Sequence, residues 1–239
     1  SSDLESGGDP KNIPDLTYEN FLNFHRTYYH PSNSYIYLYG NMDMEEKLAF
    51  LDEHYLSHFD YLDVDSVIQE QKAFGACRDV TLEYPVAENE GEEDNTYLSY
   101  NMVVGNAADS QMAMAFEVLD YALLSAPGAP LKQALLDVKA GKDVYGSYDD
   151  GILQPYFTVI AKGSNPDRKE EFVSVIRQVL GDIVKNGIDK KAVEAGINYF
   201  EFRYREADFS SYPKGLMYSL DILGDWLYEK GNPFAQVQQ

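Results

Sequence analysis

From Asp79 onward the strand-like runs of this chain come in neighbouring pairs, with helices gathered between and after them, and that order decides the fold class. Asp79 to Val86 and Thr96 to Val104 make one pair; the runs around Val144 to Tyr148 and Tyr156 to Ala161 make the other. Hairpins suit such pairs, and the strict strand–helix–strand alternation of a parallel sheet is absent. Between the pairs stand two helices. The first is capped by Asp109 and carries Met112, Phe116, Leu119 and Leu123 on one stripe, with Met114, Val118 and Tyr121 beside it. A helix apolar over so much of its circumference is expected to be deeply buried, its methionines serving as core filler.

Pro127-Gly128-Ala129-Pro130 then breaks the chain before a short helix, LKQALLDVK. Three helices follow the second pair of strands. Asn165-Pro166 starts the first, Phe172, Ile176, Val179, Leu180 and Ile183 mark its buried face, and Gly187 ends it. Asp189 caps the next, which runs to about Ala207. Ser210 to Pro213 reads as a turn, and a last helix reaches Tyr228 before Gly231-Asn232-Pro233. The expectation is α+β: an antiparallel or mixed sheet covered by helices on one side. No repeat of 20–50 residues stands out.

Residues 6–40, SGGDPKNIPDLTYENFLNFHRTYYHPSNSYIYLYG, carry three elements of their own. Gly7, Gly8, Pro10 and Pro14 keep the start irregular. Thr17 caps a helix with Phe21, Leu22, His25, Tyr28 and Tyr29 at helical spacing, and Pro31 stops it. Ser34 to Tyr39 reads as a strand ended by Gly40. Asp43 and Glu46 then form a capping-box-like start to a helix reaching about His58, with Leu48, Leu51, Tyr55 and Leu56 on its apolar face. Residues 60–78 show no period and read as a connector.

Composition excludes several partners. Nineteen basic against forty acidic residues leave a formal charge of −21, so phosphate backbones and anionic membrane surfaces are both disfavoured. No apolar run approaches a bilayer span, and mean hydropathy is −0.41. The densest acidic stretch, AENEGEEDN between the first two strands, reads as a solvated hairpin tip, with a lure for basic substrates as its functional alternative. The single Cys77 rules out an internal disulfide framework and fits a reducing compartment. With no signal-peptide pattern and no initial methionine, the chain reads as a piece of a longer protein. A cytoplasmic setting is expected or, for a eukaryotic source, the mitochondrial matrix or a plastid.

Candidate chemistry is sparse. His54 and His58 stand at i and i+4, a spacing that lets two imidazoles share a metal on one helix. A zinc peptidase also needs a carboxylate between them to activate the metal-bound water. Those positions are Tyr55 and Ser57, while Glu53 precedes the pair, so neither HExxH nor HxxEH is present. Capping of the helix end is the simpler role. His25 and His30, five apart, point to different sides of their helix and read as packing and capping residues. Cys77 has no histidine nearby in sequence. Gly141-Lys142 and Gly146-Ser147 lack the spacing of a phosphate loop, and no GxSxG elbow occurs. No catalytic, cofactor-binding or metal-binding residue is assigned.

Residues 6–40 resemble a segment of the zinc metallopeptidases of the insulinase (pitrilysin) superfamily, in particular the presequence-protease branch. There a piece of the form SGGDP–IPDLTYE–FH–YYHPSNSYIYLYG follows the catalytic region. The runs APLKQALLDVKAGKDVYGSYDDGILQPYFTVIAKG and GIDKKAVEAGINYFEFRYREADFSSYPKGL extend the likeness over nearly the whole chain. The resemblance implies a fold like that of these metallopeptidases: two halves of paired α+β domains joined by a hinge and enclosing a peptide chamber. It implies zinc in the parent enzyme, held by an HxxEH motif in the first domain, and none in this piece. It further implies residues 1–60 as the closing segment of that domain, 61–78 as connector and 79–239 as a non-catalytic domain. In the far half of such proteins an arginine and a tyrosine flanking the turn before a strand help hold the substrate. In the similar stretch here Tyr145 matches the tyrosine, but Leu136 or Asp137 stands at the arginine position, and neither can donate as arginine does.

The resemblance thus implies a non-catalytic domain of a zinc endopeptidase that degrades unstructured peptides, inactive alone and forming chamber wall. Its partners would be the remaining domains of the same chain and peptide substrates, basic ones included, with no nucleic acid and no membrane. A catalytically silent structural or peptide-binding module of the same superfamily is the alternative. An independent metalloenzyme using His54 and His58 is a third reading.

Overall fold

The computed structural model describes residues 9–87, 91–107, 109–206, 211–228 and 234. Gly7, Gly8, residues 88–90 of the acidic run, the helix end at Ala207, Ser210 and the stop at Gly231-Asn232-Pro233 lie outside them. The chain divides into two compact units, Ser1–Ala73 and Phe74–Gln239.

In the first unit, local signals do what short-range physics allows. Helix α1 (Tyr18–Tyr28) starts where Thr17 Oγ1 accepts a hydrogen bond from the Asn20 amide at 3.1 Å. It ends at a short turn, Pro31–Asn33, headed by His30, whose Nδ1 accepts from the Ser32 amide at 3.2 Å. Helix α2 (Met44–His54) is capped by Asp43 Oδ1, which accepts from the Glu46 amide at 3.0 Å. The Glu46 carboxylate pairs with Lys47 Nζ at 2.8 Å, so it serves its neighbour. The helix stops at His54, short of the expected His58. Tyr55 leaves helical geometry (φ −138°, ψ −67°), and a separate turn spans Leu56–His58.

The strand expected over Ser34 to Tyr39 is extended but joins no sheet. A strand needs a ladder partner as well as the right residues, and the described part of this unit supplies none. No described residue of 9–73 is buried.

The second unit is built on a three-stranded antiparallel sheet of β1 (Thr96–Val103), β2 (Asp143–Asp149) and β3 (Tyr156–Ser164), in the order β1-β3-β2. Leu98, Tyr100 and Met102 sit opposite Ala161, Val159 and Phe157, which in turn face Val144, Gly146 and Tyr148. That face is the covered one. Onto it pack Leu131 and Leu135 of α4 (Pro130–Asp137) and Phe172 and Ile176 of α5 (Lys169–Asn186). Helix α3 (Ser110–Asp120), capped by Asp109 Oδ1 accepting from the Met112 amide at 3.0 Å, runs into a π turn, Tyr121–Ser125. The widened turn buries three consecutive residues, Ala122, Leu123 and Leu124. Helices α6 (Lys190–Glu206) and α7 (Lys214–Leu227) complete the unit.

Two expectations need correction here. Asp79 to Val86 forms no strand. Its alternation is real, but most of the apolar face is left open, with Leu82 85% and Val80 70% exposed, and Pro85 removes an amide donor. Tyr84 ties it to the start of β1, its hydroxyl donating to the Asn95 carbonyl and its ring meeting the Tyr97 ring edge-on at 5.9 Å. Met112 and Met114 are not core filler either, since both lie exposed. The covered side of α3 is narrower than its composition suggests, because Ala113 and the π turn take the inward positions. Asn165-Pro166 does open the helical run, through a short 3-10 turn at Pro166–Arg168 that leads into α5, while the Asn165 side chain brackets Asp94, accepting from the Asp94 amide at 2.9 Å and donating to Oδ1 at 2.7 Å.

Candidate functional site

Because side chains alternate along a strand, packing one face of the sheet on helices commits the other face to an outward role. On β1 the outward positions are Tyr97, Ser99, Asn101 and Val103, all exposed; on β2 they include Tyr145 and Ser147, also exposed. The centre of this face is held by Thr158 of β3, which is 4% exposed and donates from Oγ1 to Asn101 Oδ1 at 2.6 Å. The Asn101 amide nitrogen donates to Ser99 Oγ at 3.1 Å. At one end, the Tyr156 hydroxyl donates to Asp149 Oδ2 at 3.1 Å; burial raises that phenol's pKa, and Asp149 adds to the effect. At the other end, Lys132 Nζ lies 3.2 Å from Asp143 Oδ1, and this bond is the main cause of a lowered Asp143 pKa. The Lys162 ammonium sits 5.9 Å from the Tyr97 ring centroid. Rings, hydroxyls and amides of this kind suit contact with a polypeptide, because they offer stacking surface and both hydrogen-bond polarities.

This face was legible in part. The run TYLSYNMV alternates polar or aromatic residues with core residues at period two, and that alternation marks which side chains share a face. Which face would be left uncovered required the packing.

The histidines lie elsewhere, all four within residues 25–58. The break at Tyr55 separates His54, at the end of α2, from His58 on the following turn, so they do not share one helix face. His54 packs on the Phe50 ring at 4.7 Å, His25 stacks on Tyr29 at 4.8 Å and His30 meets the edge of Phe59 at 5.3 Å. Among the described residues no group of three or more His, Cys, Asp or Glu is placed to hold a metal ion. The described residues therefore do not fit a zinc centre. Cys77 is exposed. Gly141 and Gly146 mark close approaches: a Cβ at Gly141 would lie 2.7 Å from the Lys162 carbonyl, and one at Gly146 would lie 2.1 Å from Asp120 Oδ1. Leu136 turns toward the core and Asp137 accepts from Gln133 Nε2 at 2.7 Å, while Tyr145 lies on edge strand β2. The structure thus keeps Leu136 and Tyr145 on opposite sides of the sheet.

A single-sided antiparallel sheet backed by helices defines an α+β domain. The chain belongs to the family described as the Peptidase M16 inactive domain, whose model matches residues 15–200, and it is a non-catalytic domain of the insulinase superfamily. It is 47% identical over 98% of its length to Protein HypA of Clostridium perfringens, and 35% identical over 98% to Presequence protease 1, chloroplastic/mitochondrial, of Arabidopsis thaliana. It spans 24% and 22% of those two proteins, so about a quarter of their length. An M16-like peptidase structure from Alicyclobacillus acidocaldarius shares the fold, with a TM-score of 0.55 and 18% identity over 85% of this chain and 47% of that one. Among the described residues, no helix is long and apolar enough to cross a membrane.

Proposed function

We propose that the chain serves as the non-catalytic domain of a presequence-protease-like zinc metalloendopeptidase that degrades unstructured peptides. In this reading the helix-free face of the sheet, with Tyr97, Asn101 and Tyr145, forms part of the wall of the substrate chamber. The observation that carries it is the one-sided sheet: a domain that leaves a hydroxyl- and ring-lined face uncovered has a surface for a polypeptide. The formal charge of −21 favours basic segments among the peptides it meets. Residues 1–60 close the preceding peptidase domain, which accounts for a first unit with no buried residue among those described. Metal-assisted hydrolysis then belongs to other parts of the longer protein, and this chain's contribution is shape and surface.

The test is direct. The 239-residue chain, supplied with zinc, is expected to leave a fluorogenic basic peptide intact. Cleavage that survives purification and disappears on substituting a residue of this chain would overturn the proposal. In the longer protein, Tyr97→Ala with Tyr145→Ala should raise KM for peptides and leave kcat near its starting value. An unchanged KM would remove the sheet face from the substrate path.

A further inference from the structure

One corner of the open sheet face already receives a polypeptide side chain, and that side chain belongs to this molecule. The outward residues lie in rows across β1, β3 and β2: Ser99 beside Ile160 and Tyr145, then Asn101 beside Thr158 and Ser147. Tyr97 opens the face at the start of β1, with the Lys162 ammonium 5.9 Å from its ring centroid. Against the Tyr97 ring stands Tyr84, edge-on, with the centroids 5.9 Å apart and the planes at 72°. The Tyr84 hydroxyl donates to the main-chain carbonyl of Asn95, the residue before β1. Ring and hydroxyl are thus both received. The run 79–86 around it joins no sheet, and Val80 and Leu82 are left largely to solvent. At its start Asp79 forms an exposed ion pair with Lys169 of α5. Tyr84 and Tyr97 both stay half-exposed, so the two rings can part without opening the core.

We propose that Tyr97 and the Asn95 carbonyl form a subsite for a tyrosine side chain of a bound peptide, and that Tyr84 is its built-in competitor. The occupant follows from what already sits there. A phenol rests edge-on against a ring with its hydroxyl on a main-chain carbonyl, and the phenol of an incoming peptide finds the same two partners. Phenylalanine keeps the ring contact and loses the hydrogen bond, and an aliphatic side chain loses both. While Tyr84 covers Tyr97 the subsite is masked, and the apparent affinity for the peptide falls by the fraction of molecules in which it is open. The strap is easily lifted, because an exposed ion pair such as Asp79–Lys169 contributes little in water. The inference rests on the sheet face being a peptide surface, as proposed above, and names one side chain that a peptide places there.

Two fluorescein-labelled unstructured peptides test the subsite: a Lys/Gly/Ser peptide with one central tyrosine, and the same peptide with alanine in its place. Each is titrated with the 239-residue chain and read by anisotropy, with amide protection of β3 checking that every variant stays folded. Tyr84→Ala should tighten binding of the tyrosyl peptide by about two- to tenfold, the worth of an edge-on ring pair, and leave the alanyl peptide unchanged. Tyr84→Phe should fall between the parent chain and Tyr84→Ala. Tyr97→Ala, alone or combined with Tyr84→Ala, should bring the two peptides to equal affinity. Equal binding of the tyrosyl peptide by the parent chain and Tyr84→Ala overturns the proposal. So does a gain that the alanyl peptide shares, a gain that survives Tyr97→Ala, or a lack of binding by every variant. If binding is indifferent to Tyr84 yet weakened by Tyr145→Ala, the competitor falls while the sheet face stands as a peptide surface.

Discussion

Helices α1 and α5 are both well marked in sequence, yet they live in different worlds. Helix α1 has a made N-cap and a ladder of rings along its side, and it buries nothing, with Phe21 63% and Phe24 59% exposed. Helix α5 has no side-chain cap, and it buries Phe172 and Ile176 completely. The difference lies in what each apolar stripe finds. That of α5 meets the sheet column Leu98, Ala161 and Val144, whereas the segment after α1 that could have been a strand joins no sheet. Caps and periodicity start and stop a helix, and only a covering surface converts its apolar face into stability.

The largest effect that would break this contrast comes from matched truncations. Phe172→Ala should cost roughly 3–5 kcal/mol, seen as a lower urea midpoint with Trp226 as reporter. Phe21→Ala should change that midpoint by no more than about 0.5 kcal/mol, because an exposed ring leaves no cavity behind. Equal losses would mean that α1 is buried after all.

Next in size is the approach of β2 to the α3 terminus. A Cβ at Gly146 would stand 2.1 Å from Asp120 Oδ1 and 2.4 Å from Leu124 Cδ1, and Leu124 is 1% exposed and cannot retreat. Gly146→Ala should therefore cost about 1–3 kcal/mol through overpacking. The corresponding change at Gly75, where a Cβ would meet nothing within 4 Å, should be silent in the same denaturation experiment.

A smaller effect attaches to Asp120 itself. Its Oδ1 is buried without a hydrogen-bond partner, while Oδ2 accepts from Ser125 Oγ at 3.3 Å. Burial raises its pKa, with the Ser125 bond opposing. A carboxyl raised on folding contributes stability below its unfolded pKa and loses it as pH rises through the folded value. Asp120→Asn should accordingly match the parent chain at about pH 4 and exceed it by on the order of 1 kcal/mol at about pH 7. A variant that trails the parent at both pH values would show that the carboxylate is satisfied.

What the sequence disclosed follows the range of each interaction. Asp109 and Thr17 announce their helices because a cap involves residues three apart. The two faces of β1 could be read from TYLSYNMV for the same reason. The runs 34–39 and 79–86 carry equally good strand residues, but a ladder is decided by a partner far along the chain. Met112 and Met114 misled because composition gives the width of an apolar stripe and not which part of it is covered. The open sheet face falls between these cases: its residues were readable, its exposure was not.

The smallest and sharpest test sets one cap against another. Thr17→Ala removes the acceptor for the Asn20 amide, and Asp109→Ala removes the acceptor for the Met112 amide, at 3.1 and 3.0 Å respectively. Each should cost about 1 kcal/mol locally. Both helices are 11 residues long, too short to persist on propensity alone. Without its cap, α1 has no buried surface to hold it, so it should fray, with far-UV ellipticity lost and its amides exchanging freely. Helix α3 runs into the π turn that buries Leu123 and Leu124, so it should stay helical and give up only global stability. The same local loss would thus appear as unfolding in one unit and as a shifted midpoint in the other. If both helices instead stayed fully formed, α1 would have tertiary support, and the contrast between the two units would fall.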